Sequence, residues 1–179
     1  MALLKNPPDN SFQAATAKRW LAVIFFCAEC VFSLAAGELR VGDAVPLFSA
    51  RDQFGKEFKF QAGLRFLLLG FDMGASKAAN LKLADLGSGW LEKQGAVYVL
   101  DIHSMPAIAR VFALPKMRKY PHRIILAETE SLLAPFPRQS ERLTVLVLTP
   151  EGKIKKIRFW DPASEALAAQ LSPSSEIEK

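Results

Sequence analysis

Residues 65–77 read RFLLLGFDMGASK, and the fold is decided there. Phe66 to Leu69 is an uninterrupted apolar run, bounded by Gly63 on one side and Gly70 on the other. So short a run, with no polar alternation, suits a strand buried on both faces of a sheet. A loop follows through Asp72, Met73, Gly74, Ala75 and Ser76, then a helical pattern from Lys77 to Leu86. Open α/β sheets repeat this strand, loop and helix, and build their sites at the carboxyl ends of central strands. The loop has neither cysteine nor histidine, so its polar candidates are Asp72, Ser76 and Lys77.

Downstream, Leu81, Leu83, Leu86, Trp90 and Leu91 recur at helical spacings. Gly87 and Gly89 bend or split that helix, and Gly95 ends it. Ala96 to Asp101 predicts a second buried strand. Met105 to Tyr120 predicts a helix with Pro106 in its first turn and Pro115 as its breaker. Arg123 to Ala127 is a third strand, 128–139 a loop containing Pro135 and Pro137, and Leu143 to Leu148 a fourth strand. Ile154 to Trp160 returns after a turn, and Pro162 to Leu171 is a terminal helix. Upstream, Val45, Pro46 and Phe48 open an edge strand, 52–56 turns the chain, and Phe58 and Phe60 alternate with charges. The sum is an α/β chain with an N-terminal β-hairpin and a mixed central sheet, helices covering both faces in three layers. The first two main strands should be parallel, and Leu143 to Leu148 antiparallel beside the central one, bringing Arg142 to the loop's end of the sheet.

The chain has 179 residues, half of them hydrophobic, enough for one cored domain, and a net charge of +5. Removing residues 1–37 takes away three cations and two carboxylates, so the surplus is mild and spread out. Such a balance speaks for solubility and against a nucleic-acid partner. Lys18 and Arg19 precede an apolar segment from Trp20 to Ala36 that ends in small residues, the layout of a secretory leader cleaved near 35–37. Glu29 interrupts the apolar run. An ionised carboxylate at a bilayer centre costs about 2.5–3.5 kcal/mol, which disfavours an uncleaved membrane anchor. Three parts are expected: a leader at 1–37, a domain at 38–172 and a polar tail at 173–179. The location is periplasmic or secreted, with anchoring by an uncleaved leader as the alternative and no membrane insertion after cleavage. The two cysteines, Cys27 and Cys30, form a C-x-x-C inside the leader, so cleavage leaves a domain without thiols.

Gly42, Pro46, Phe48, Asp52, Gly55 and Lys56 resemble the opening of the peroxiredoxin-like (AhpC/TSA-type) branch of the thioredoxin fold. Residues 142–154, RLTVLVLTPEGKI, are similar to that branch's penultimate strand and glycine turn. Residues 120–135 are similar to the short strand and acidic turn before it. The resemblance spans about Leu39 to Leu171 and implies a thioredoxin-like three-layer sandwich. It also implies a cysteine just after the first central strand, where this chain reads Asp72 to Asn80 with none. Arg142 lies where the branch has an arginine assisting its thiolate, and the cis-proline position corresponds to about Leu143. Thiol chemistry needs a sulfur nucleophile, and a serine at 76 needs an activating base. More loosely, the chain resembles exported, cysteine-less members of the fold of the YtfJ type.

The candidate chemistry is correspondingly sparse. Asp101 and His103 follow the second strand as D-x-H, either an acid and base or a helix cap beside a solvent-facing histidine. His122 is a third candidate for the same group. The enzyme reading uses Asp72, Ser76, Asp101, His103 and Arg142, with no metal and no cofactor. Lys116, Arg118, Lys119 and Arg123 make a basic cluster that suits an anionic partner or a solvated helix end. Lys153, Lys155, Lys156 and Arg158 guard an edge strand or frame a protein-binding edge at Phe159 and Trp160. Gly87-Ser88-Gly89 lacks a third glycine and a preceding strand, which excludes a dinucleotide fingerprint. The expected role is a redox-inactive accessory protein with another protein of the periplasm as partner. The alternatives are a non-thiol enzyme and a redox protein acting through Cys27 and Cys30.

Overall fold

Phe66 to Leu69 are at most 1% exposed, as a strand covered on both faces must be. In the computed structural model, which describes residues 37–171, this strand is β3 (Phe66–Gly70). All of the expected leader except Gly37, both cysteines and the polar tail lie outside the described residues. The remaining strands are β1 (Ser49–Asp52), β2 (Glu57–Lys59), β4 (Ala96–Asp101), β5 (Ile125–Ala127), β6 (Leu143–Leu148) and β7 (Ile154–Trp160). They form one sheet in the order β2-β1-β5-β4-β3-β6-β7. β3 runs parallel to β4 and antiparallel to β6, and β4 runs parallel to β5. The hairpin β1–β2 joins antiparallel to β5.

The helices are α1 (Met73–Leu86), α2 (Trp90–Lys93), α3 (Ala107–Met117), α4 (Glu130–Leu133) and α5 (Leu167–Gln170). Successive right-handed crossovers in one direction put their helices on one face. Accordingly Phe66 and Leu68 pack with Ala79 and Leu83 of α1, Leu91 of α2, Met117 of α3 and Leu167 of α5. Leu67 and Leu69 point the other way, onto Leu133 of α4, Phe136 and the N-terminal residues Val45 and Phe60. Helices therefore cover both faces, but unequally. No helix among the described residues is long and apolar enough to cross a membrane.

Element boundaries differ from the sequence expectation at several places: β1 begins at Ser49 rather than near Val45, α3 spans Ala107–Met117 with Pro106 at its N-cap, and β5 begins at Ile125. α1 starts at Met73 rather than Lys77, because the Asp72 carboxylate accepts the Ala75 N–H at 2.8 Å and caps the helix. Pro115 does not break α3, which runs two residues past it. The carbonyl at Val111 that a proline leaves without its helical donor belongs to a solvent-exposed residue, so water can satisfy it. The 128–139 loop contains the single turn α4, which buries Leu133. The terminal helix shrinks to one turn, since Asp161 engages Ala163 and Ser164 in a local turn.

Candidate functional site

At the carboxyl end of β3 the backbone must pass under the first turn of α1, and Gly70 makes that possible. A Cβ there would lie 2.5 Å from Ser76 Oγ and 3.0 Å from the Tyr98 hydroxyl. Both oxygens are buried without a hydrogen-bond partner of acceptable geometry. Burial pushes the Tyr98 phenol well above its ordinary range, with Ser76 nearby opposing it in part. One turn on, Asn80 Nδ2 donates to the Ser76 carbonyl at 2.8 Å, which turns its Oδ1 toward His122. His122 Nε2 donates to that oxygen at 2.9 Å, leaving Nδ1 bare and buried. The Tyr120 ring stacks on the imidazole at 5.4 Å. Burial lowers the His122 pKa to about 4, so the ring is neutral near pH 7.

Above this buried polar cluster, a cleft of about 560 Å³ opens between α1 and α3. Asp72, Ser76, Lys77 and Asn80 line it from α1 and its cap, Asp101 from β4, and Phe112 and Lys116 from α3. Asp72 is occupied as a cap, and Asp101 Oδ1 accepts the His103 N–H at 2.9 Å. Arg110 fixes the β4–α3 connection by donating to the carbonyls of Met105 and His103.

Against this geometry, no protein-family model matches the chain, and no curated protein does. Solved structures do. One, assigned as a thiol:disulfide interchange protein DsbE from Chlorobium tepidum, superposes with a TM-score of 0.53 at 15% identity over 75% of this chain and 96% of that one. The chain has the thioredoxin fold. A peroxidoxin from Mycobacterium tuberculosis shares it (TM-score 0.50, 18% identity, 77% and 100% of the two chains). So does the exposed lipoprotein thioredoxin of Streptococcus pneumoniae (0.50, 14%, 70% and 98%).

Within this thioredoxin fold, Asp72, Ser76 and Asp101 share the cleft, whereas His103 is exposed outside its lining. Arg142 lines a neighbouring hollow with Asp72, Ser140, Glu141 and Asp161. Its carboxylate partner is Glu165, 3.7 Å from Nη1, and it donates to the Phe159 carbonyl at 3.2 Å. Asp72, the acidic residue of the loop at that end of the sheet, is committed to capping α1. The Arg142 side chain keeps 37% exposure, so it is not a buried cation in need of an anion. The basic cluster divides. Arg118 donates to the Gln53 carbonyl, and Arg123 pairs with Asp52 at 2.9 Å, tying the hairpin turn to the start of β5. Burial alone would raise the Asp52 carboxyl, but the N–H groups of Lys56 and Phe54 and the Arg123 guanidinium outweigh it and hold it below its usual value. Lys116 and Lys119 stay exposed. Sequence reasoning passed over Tyr98, Asn80 and Gly70. The hint was a tyrosine inside an otherwise aliphatic strand, opposite a strand ending in glycine. His122, named only as a companion for Asp101 and His103, is instead buried, and Tyr120 and Pro121 before it and Ile124 after it mark a residue entering the core.

Proposed function

We propose that this thioredoxin-fold chain is a non-catalytic binding or accessory protein that works outside the cytoplasm. One observation carries the reading. The first turn of α1, after the central strand, presents the Met73 thioether and a buried Ser76 hydroxyl, and no thiol exists anywhere in residues 38–179. Thiol–disulfide exchange and peroxide reduction both begin with a thiolate. Ser76 gains no substitute power, because the histidine nearest to it through the network, His122, spends its N–H on Asn80 and reaches no hydroxyl. The charged, apolar and small-residue succession over 18–37 supports export. What remains is a rigid scaffold with an open cleft, suited to holding a partner.

The full chain and its Cys27→Ser/Cys30→Ser variant are assayed for insulin reduction and peroxide consumption. Neither should exceed buffer. Turnover in the variant overturns the reading. Turnover in the parent that the variant loses also overturns it and assigns the chemistry to the leader cysteines. N-terminal sequencing of the protein from an extracytoplasmic fraction should give a start between Ala36 and Glu38, and an intact Met1 contradicts cleavage.

A further inference from the structure

Helix α3 is turned outward to a degree that its packing does not require. Of its eleven residues, Met117 alone is fully buried, while Ile108, Val111 and Phe112 are 73%, 67% and 67% exposed. Their spacing, i, i+3 and i+4, puts them on one stripe of the helix surface. Met73, on the first turn of α1, is 69% exposed. Phe112 and Met73 are both lip residues of the α1–α3 cleft, so stripe and cleft form one continuous apolar surface. A contiguous patch of large apolar side chains on a protein surface marks an interaction site more often than chance exposure does.

The charges around it say what kind of partner fits. Lys77 and Lys116 stand on opposite helices at the cleft, and Lys119 continues beyond the end of α3. None of the three makes an ion pair or a side-chain hydrogen bond among the described residues. The two carboxylates there, Asp72 and Asp101, are turned inward onto backbone N–H groups. An apolar stripe between unpaired ammonium groups complements an apolar stripe flanked by carboxylates. Of the stripe, Phe112 lines the concave cleft, which can receive side chains that a partner helix inserts and that a lipid surface does not offer.

Resting on the binding role proposed above, we infer that the outer face of α3 and the α1–α3 cleft dock an amphipathic helical segment of a partner protein. Its apolar stripe would lie on Ile108, Val111 and Phe112, and its glutamates or aspartates against Lys77 and Lys116. This is the helix-in-groove mode, in which large apolar anchors supply affinity and flanking charges fix the register.

The probe is a fluorescein-labelled synthetic peptide of roughly 16 residues, with leucine at i, i+3, i+4 and i+7 and glutamate elsewhere. Fluorescence anisotropy with the full chain should show saturable binding. Phe112→Ser and Lys116→Glu, both at exposed positions, should each weaken it by about tenfold or more while leaving the thermal melt unchanged. A peptide with lysine in place of glutamate, and one of the same composition with the stripe scrambled, should bind at least about tenfold more weakly. Absence of binding, or binding insensitive to Phe112→Ser, overturns the inference. So does co-sedimentation with phosphatidylglycerol vesicles that Phe112→Ser abolishes while peptide binding is unaffected. Redox turnover in the Cys27→Ser/Cys30→Ser variant would defeat the proposed function and leave this surface standing. Loss of peptide binding without turnover would do the reverse.

Discussion

Acidification to pH 4.5 should destabilise the domain through one side chain, His122. Its Nε2–H is held by Asn80, and its bare Nδ1 faces a buried space with no acceptor. Tyr98, Tyr120 and Asn80 surround the ring, and none of them carries a charge that would welcome a second proton. The folded state therefore holds the His122 pKa at about 4 against an ordinary value of 6.5. The unfolded chain takes up a proton below pH 6.5 that the native one refuses. Stability is thus fully present above 6.5 and drains away as pH falls toward 4. The full effect is about 3 kcal/mol, most of which is lost between pH 7 and 4.5. Against the 5–15 kcal/mol typical of a domain, roughly, that moves a urea midpoint visibly. Asp52 stays out of this window, because its lowered carboxyl contributes stability above 3.8 and loses it only as pH drops further. Urea unfolding in half-unit steps from pH 7 to 4.5 measures the loss. His122→Gln, which keeps a donor for Asn80 and cannot titrate, should give a flat profile, and His103→Gln should keep the parent's slope. A flat parent, or a His122→Gln variant with the parent's slope, would refute the assignment.

Gly70→Ala should cost about 2 kcal/mol or more, since the new methyl meets Ser76 Oγ at 2.5 Å. Adding Ser76→Ala should recover part of that loss, and a strictly additive double-mutant cycle would sink this account of the glycine. Met73→Cys with Ser76→Cys, in the Cys27→Ser/Cys30→Ser background, puts two thiols on the first turn of α1, where the helix terminus favours a thiolate. Insulin reduction with dithiothreitol should then rise above that of the parent. No rise would mean that the scaffold lacks more than sulfur.

Runs of apolar residues made β3, β4 and β6 legible in the sequence, and Gly87 with Gly89 marked the division between α1 and α2. These are local signals. The misread features depend on partners far along the chain or on side chains that serve the backbone. His122 meets Asn80 across 42 residues, and Gln53 reaches the His122 carbonyl across 69. Nothing beside any of these residues announces the contact. Asp72 looked like a free carboxylate until its capping role appeared, and Arg142 pairs instead with Glu165, 23 residues further along. Asp101 was read as an acid or base or as a helix cap, and the structure gives it a local turn instead, on the His103 N–H, with Pro106 at the N-cap of α3. The cleft could not be read from sequence because it is a gap between α1 and α3, and the spacing of each helix describes only itself.

The order of strands across the sheet also has a bearing on how the chain acquires its shape. β1 waits for β5, since Arg51 pairs with Leu126, and β3 waits for β6, since Phe66 pairs with Val147. Each closure spans more than half of the domain, and such long-range pairings form slowly. A chain emerging from a ribosome can assemble the β3–α1–β4 unit early, but its central strand stays open along one edge until residues 143–148 are free. The hairpin is likewise among the first segments made and among the last to find its neighbour. Folding of the domain is thereby postponed until its late strands have been made, a timing that accords with the export proposed above.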